Sequence, residues 1–305
     1  NWYLWATQHP SVSFPDKEDA DTGKDKSVKV IRLITRMLFV WFIKQKGLVP
    51  SSLFDVNEMK SVLKKLEPES STSSTYYNAI LQNLFFATLN RPVVEVDEDG
   101  VEEVREFAKN LHNEDAKNLY RYEELFSISK EEIVKLFVPI PFLNASLFDC
   151  LDKSKTMNGV EQCFKYDGFS RNPRKQTHVP NELFFGKEQF VPLKVGDEVK
   201  ERHVQGLVRL FEQYNFTIEE NSPREVEVSL DPELLGRVFE NLLAAYNPET
   251  GESVRKSTGS FYTPREIVNY MVNESLVAYL MNKTKVSETD LRLLLSYDDD
   301  VPSLS

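Results

Sequence analysis

The residues best suited to hold a ligand stand together near the C-terminal end: Gly259, Ser260, Phe261, Tyr262, Thr263 and Pro264, followed by Glu266 and Ile267. Thr263 has the side chain of an N-cap, Pro264 fits a first helical position whose amide is not needed, and Glu266 stands where it closes a capping box. Tyr262 and Ile267 take the positions of a hydrophobic staple. Such an entrance sets two aromatic rings beside a line of free backbone N–H donors, chemistry that suits a ligand with a flat ring and a polar or anionic tail. The bland alternative is that Phe261 and Tyr262 plug a core and the cap only starts a helix.

Other groups carry weaker signals. Asp55, Glu58 and Lys60 match, on paper, the acid and Glu-x-Lys that hold a divalent metal and activate water in nucleases. In a chain with 48 acidic and 37 basic residues such a trio arises by chance, and no strand pattern surrounds it, so it reads as a solvated loop. His9, His112, His178 and His203 lie far apart, and no pair has metal-ligand spacing. No metal ligand and no catalytic residue is assigned. Arg171, Arg174 and Lys175, with His178, make the densest basic patch and could touch DNA phosphates; the alternative is a solvated loop. Cys150 and Cys163 match neither a redox pair nor a zinc knuckle, which points to a reducing, cytoplasmic setting.

These residues need elements to position them. Val28, Ile31, Leu33, Ile34, Met37, Leu38, Trp41 and Phe42 recur mostly at three- and four-residue steps, the spacing of a buried helix, and Gly47 with Pro50 stands where it should stop. Similar spacing predicts helices through Tyr77–Phe85 and Val101–Leu111. Ser129 with Glu132 predicts a capping box ahead of Ile133–Phe137. Residues 1–145 therefore read as a helical bundle. From Pro139 to Pro223 the helical period is lost apart from a short stretch at Val204–Tyr214, so 146–230 is expected to be an irregular connector, with a small hairpin over Phe216–Ile218 and Val226–Leu230. Asp231 and Pro232 then open a helix with a face of Leu234, Leu235, Val238, Phe239, Leu242 and Leu243. A further apolar row runs from Ile267 and Val268 through Met271, Val272 and Leu276 to Tyr279 and Leu280.

The chain has 305 residues, of which 41% are hydrophobic, with 20 Phe, 12 Tyr and 3 Trp; that is too much apolar surface for a disordered chain. A single domain of 305 residues would be large, so two units are the default. The longest apolar run, Met37–Ile43, is far short of a bilayer span, and no signal peptide opens the chain, so no membrane partner is expected. The net charge of −11 would repel a phosphate backbone unless basic residues gather on one face. Asn1 and Ser305 read as the ends of a piece of a longer protein.

The block Leu235, Gly236, Arg237, Val238, Phe239, Glu240, Asn241, Leu242, Leu243, then Arg255, Lys256, Gly259–Pro264 and Ile267–Val272, resembles the entrance to adenine-specific DNA methyltransferases of the type IIG restriction-modification group. There a helix reading approximately LGxxYExLL precedes a GxFYTPxxIVxYMV segment; here Phe239 replaces the tyrosine. The runs LFVWFIKQKGLVP (Leu38–Pro50) and IPFLNASLFD (Ile140–Asp149) resemble the helical region before the methylase, with Ala145 and Ser146 where relatives often carry two glycines. The resemblance implies that Phe261, Tyr262, Thr263 and Pro264 help form a pocket for S-adenosylmethionine. It also implies that the whole enzyme, acting on double-stranded DNA, transfers a methyl group to the N6 amine of an adenine flipped from the duplex. Relatives include restriction enzymes with an added nuclease domain, which would bring a need for Mg, and phage-defence proteins without one.

A methylase of this class also needs a glycine-rich loop for the cofactor and an Asn-Pro-Pro-aromatic loop for the target amine. Neither Gly-x-Gly nor Pro-Pro occurs in these residues. They would supply only the first wall of the cofactor pocket, and the catalytic groups would lie elsewhere. The fold expected is thus mainly α: a helical bundle, an irregular connector with a short hairpin, and, over 231–305, the helical entrance to an α/β methyltransferase domain. The rival is a helical interaction or scaffolding module that shares only the capping sequence.

Overall fold

The structure is a computed structural model that describes residues 1–15, 22–96, 102–107, 119–143, 146–157, 160–164, 166–214 and 265–295. Asn1–Ser229 forms one compact unit and Leu230–Ser305 a second, so the first takes in both the stretch to 145 and the connector after it. Trp2–Gln8 is helix α1 and Thr22–Gln45 is α2, the helix that the spacing of Val28 to Phe42 predicts. Gly47 stops α2 as expected: its φ of +73° lets the Leu48 amide reach the Ile43 carbonyl and the Gly47 amide reach that of Lys44, the pair of bonds that closes a left-handed helix end. Val56–Val62 is α3. The next helical stretch, α4, runs over 75–89 and contains two π-helical segments, Tyr77–Gln82 and Phe85–Leu89.

Every residue of 76–89 is buried, so α4 is the axis of the first unit. A helix buried all round must satisfy its polar side chains internally, and α4 does. The Asn83 side-chain amide donates to the Arg121 carbonyl (2.9 Å) and its carbonyl accepts the Arg121 amide (2.9 Å). Gln82 donates to the Asp167 carbonyl and accepts from the Tyr122 hydroxyl. Thr88 donates to the carbonyl of Asn83, five residues back, as π geometry allows. Beyond its end, the buried Arg105 guanidinium donates to the carbonyls of Thr88, Arg91, Phe137 and Ile140, closing carbonyls a helix end leaves open.

Arg105 follows a hairpin, not a helix. Val94–Val96 (β1) pairs antiparallel with Glu102–Val104 (β2), and Phe107 bridges Tyr120. The helix expected over Val101–Leu111 is therefore corrected for 102–107: extended backbone is what carries Arg105 across the end of α4. Lys130–Phe137 is α5, with the predicted capping box between Ser129 and Glu132 present in both directions. Trp41 of α2 packs edge-on against Phe54 and also lies against Phe211, and all three are buried.

The connector holds regular structure that the sequence did not announce. Lys153–Met157 (β3) pairs with Val160–Phe164 (β4), and Gln189–Val195 (β5) with Glu198–Val204 (β6). Gly196, at φ +64°, opens the two-residue turn between β5 and β6, a place where positive φ suits glycine. Both strands are mostly exposed; β6 is rich in charge and β5 runs apolar residues onto both faces, so neither shows the apolar alternation that would mark it. Two short helices, Glu182–Phe185 (α6) and Leu207–Glu212 (α7), also lie in this unit, the second within the stretch Val204–Tyr214 where the sequence keeps helical spacing. The hairpin expected at 216–230 lies outside the described residues. In the second unit Arg265–Lys283 is α8 and Glu288–Leu295 is α9. No helix among the described residues is long and apolar enough to cross a membrane.

Candidate functional site

The four residues proposed to meet a cofactor, Phe261, Tyr262, Thr263 and Pro264, lie outside the described residues, as does the segment from Asp231 to Ser260. What the structure adds is the helix that follows them: α8 begins at Arg265, directly after Pro264, and runs 19 residues. Its apolar residues are largely exposed, with Ile267 at 49%, Met271 at 59% and Tyr279 at 59% relative exposure. Val268, Met271, Val272, Ser275 and Leu276 border one shallow apolar hollow. Val277 and, on α9, Leu291 are buried, and Arg292 of α9 pairs with both Glu274 of α8 and Glu288. Those exposed ion pairs add little, because solvent screens them.

The second predicted group, Arg171, Arg174 and Lys175, is brought together on one turn of the first unit. Pro173–Lys175 is a 3-10 turn capped by the Asn172 side chain, which accepts the Arg174 amide at 3.1 Å. Arg174 is exposed; Arg171 and Lys175 are half-buried and each has an interaction within the protein. The stretch from Gly168 to Asn181 holds Arg171, Arg174, Lys175 and His178 and no acidic residue, in a chain of net charge −11.

What holds that turn is a buried polar network absent from the sequence reading. Arg36, midway along α2, donates to Asp167 at 3.0 Å and to the carbonyls of Leu147 and Asp149. The other Asp167 oxygen accepts the Leu151 amide at 2.8 Å. Asp152 accepts the successive amides of Asp167, Gly168 and Phe169 at 2.8, 3.1 and 3.0 Å. Gly168 is left-handed, at φ +62°, and a Cβ there would stand 2.5 Å from the Thr177 nitrogen, so only glycine fits. Burial alone would raise the Asp167 carboxyl, but the Arg36 and Arg32 guanidinium groups and the Leu151 amide hold it below the usual carboxylate range. The backbone enters 170–175 from a turn fixed at three consecutive amides. Sequence could have hinted at this only through the pattern Asp-Gly in an apolar setting; the partner Arg36 is 131 residues away.

The remaining predicted groups find structural roles. Asp55 caps α3, accepting the amides of Asn57 and Glu58 at 2.7 and 3.0 Å, and Glu58 and Lys60 stand on that helix, so the loop expected for this trio is corrected to a capped helix start. His9 lies 2.7 Å from Glu182, the His203 ring sits tilted 5.4 Å from that of Phe190, and burial pulls the His178 imidazole below its ordinary value. His112 lies outside the described residues. Among the described residues no cluster of three or more His, Cys, Asp or Glu could hold a metal. Burial, with Asp152 and Asp167 nearby, pushes the Cys150 thiol up, which makes it a poor nucleophile.

Against known proteins, no family model matches the chain, and no solved structure gives a significant match. Over 262 residues, 86% of its length, the chain is 25% identical to a protein of Methanocaldococcus jannaschii provisionally described as a type II restriction enzyme and methyltransferase. The match covers 15% of that protein's own length.

Proposed function

We propose that these residues belong to a DNA methyltransferase of restriction-modification type, transferring a methyl group from S-adenosylmethionine to the N6 amine of adenine in double-stranded DNA. The observation that carries this is the run Gly259–Pro264 set directly before a 19-residue helix, in a chain similar over 86% of its length to a protein described as a restriction enzyme and methyltransferase. The residue types fit the cofactor: Phe261 and Tyr262 offer flat apolar faces for a purine, and amide donors at a helix start suit the carboxylate of its amino-acid arm. Residues 231–305 then form the helical entrance to an α/β methyltransferase domain, and the exposed apolar face of α8 is the face such a domain would cover. Residues 1–230 act as the helical spacer and connector ahead of it.

With no glycine-rich loop and no Pro-Pro pair in this sequence, residues 1–305 alone bind the cofactor weakly or not at all. Calorimetry with S-adenosylmethionine tests this; micromolar affinity would overturn it. In a polypeptide that carries this chain together with its catalytic loop, Phe261→Ala with Tyr262→Ala raises the KM for the cofactor, and an unchanged KM removes these residues from the pocket. The rival, an interaction module, also draws on the exposed face of α8. It predicts no methyl transfer by any protein that carries this chain.

A further inference from the structure

The turn that carries Arg174 borders a cleft in the first unit. Its volume is about 350 Å³; Ser13, Phe14 and Pro15 form one wall, and Pro173, Arg174, Gln176 and His178 the other. The walls are joined edge to edge, since the Ser13 amide donates to the His178 carbonyl at 3.0 Å and the His178 amide to the Ser13 carbonyl at 2.8 Å. Residues 13 and 178 are thus held as a two-residue ladder, with Arg174 at the rim on a turn fixed by Asn172 and, further back, by Asp152.

The lining has a definite chemistry. None of its residues is acidic, and residues 1–15 carry no Asp, Glu, Lys or Arg at all; the acidic run from Asp16 to Asp21 lies outside the described residues. The Arg174 side chain is exposed at the rim, and no ion pair joins it to the described residues. Behind Phe14 stands a second cation: the Lys29 ammonium lies 5.4 Å from the Phe14 ring centre and 4.2 Å from that of Tyr166, with Lys29 only 4% exposed. The Arg174 guanidinium puts positive charge at the mouth of the cleft, and the Lys29 ammonium, which has a further interaction within the protein, packs on the Phe14 ring. Ser13 and Gln176 supply neutral donors, while the Phe14, Pro15 and Pro173 rings offer apolar surface.

From this arrangement we infer that the cleft seats a phosphodiester of duplex DNA, with Arg174 donating to the phosphate oxygens, Ser13 and Gln176 beside it, and the Phe14 and proline rings against the adjoining sugar. Guanidinium geometry matches two phosphate oxygens at once, and Arg, Ser and Gln are among the side chains that commonly contact the backbone. Such a contact positions the duplex without reading its sequence. Lys175 adds charge next to Arg174, and its own interaction within the protein makes it secondary.

The inference rests on the proposed function for its choice of duplex DNA, and the test separates the two. Residues 1–305 are titrated with a fluorescein-labelled duplex of mixed sequence at several salt concentrations, by anisotropy, for the unaltered chain, Arg174→Ala, Arg174→Lys, and a control with Lys187→Ala and Lys200→Ala. Lys187 and Lys200 are exposed and paired with Glu69 and Glu198. Arg174→Ala lowers affinity about tenfold and makes the salt slope shallower by about one; Arg174→Lys loses less, and the control loses nothing comparable. Equal affinity of Arg174→Ala and the unaltered chain, or no duplex binding at low salt, overturns the site. If inorganic phosphate displaces the duplex at the same phosphate concentration, the cleft takes free anions and the duplex assignment fails. Arg174-dependent binding without methyl transfer by the larger protein sinks the enzyme reading and keeps the cleft; methyl transfer with Arg174-independent binding does the reverse.

Discussion

Helices α4 and α8 are both rich in apolar residues, yet every residue of 76–89 in α4 is buried while Ile267, Tyr270, Met271 and Tyr279 of α8 stand open. Their polar residues explain the difference. On α4, Gln82 and Asn83 reach the backbone of Asp167 and Arg121, segments 85 and 38 residues away, so they specify what covers the helix. On α8, among the described residues, Ser275 and Asn282 bond to the carbonyls of Met271 and Ala278, one turn back. Apolar content says that a helix needs cover; a polar residue with a distant partner says which cover it has. The first unit is therefore self-specified around α4, whereas the α8 face awaits whatever the proposed catalytic domain lays on it.

That contrast can be broken most forcefully at Arg36. Replacing Arg36 by Met strands the buried Asp167 carboxylate, and removal of one partner of a buried pair costs about 3–5 kcal/mol. Urea unfolding followed by tryptophan fluorescence reads this, since Trp2, Trp5 and Trp41 are all buried. The sign with pH follows from the depressed Asp167 carboxyl: its contribution is present above the ordinary aspartate range and is lost as pH falls through the lowered folded value. The gap between the unaltered chain and Arg36→Met should narrow in strong acid; a gap that widens would contradict the pairing. Gly168→Ala comes next, at about 1–3 kcal/mol, from the left-handed backbone and the collision with Thr177. Asn83→Leu leaves the buried Arg121 amide and carbonyl unpaired, a loss of about 1–3 kcal/mol in the same assay. Ser129→Ala removes the cap of α5 for about 1 kcal/mol. The smallest effect belongs to α8: Met271→Gln, on its open face, should leave the thermal melt of residues 1–305 within about 0.5 kcal/mol. A large loss there would mean that the face is already covered.

The features legible in the sequence are those in which cause and effect sit within a few residues. Gly47 ended α2 and Ser129 with Glu132 opened α5, because a cap needs only its own turn. The basic turn Arg171–Lys175 was visible because its charges are contiguous. Its opposing wall, Ser13–Pro15, was not, because the pairing of Ser13 with His178 spans most of the first unit and leaves no local trace. The same holds for Arg36 and Asp167; the alternation of a half-buried strand is hidden in β6 by exposed charged residues and in β5 by apolar residues on both faces. Val104 and Phe107 misled because a three-residue step suits a helix as well as a strand that turns a corner. For the cofactor residues 261–264 the structure adds only where α8 begins, so their assignment rests on residue types, order and resemblance.

The central claim concerns chemistry on adenine, and product identity tests it most directly. DNA incubated with S-adenosylmethionine and the polypeptide that carries this chain is digested to nucleosides and separated by mass. The prediction is N6-methyldeoxyadenosine, reduced when Phe261 and Tyr262 are both alanine. Methylated cytosine, or no methylated nucleoside at all, would contradict it.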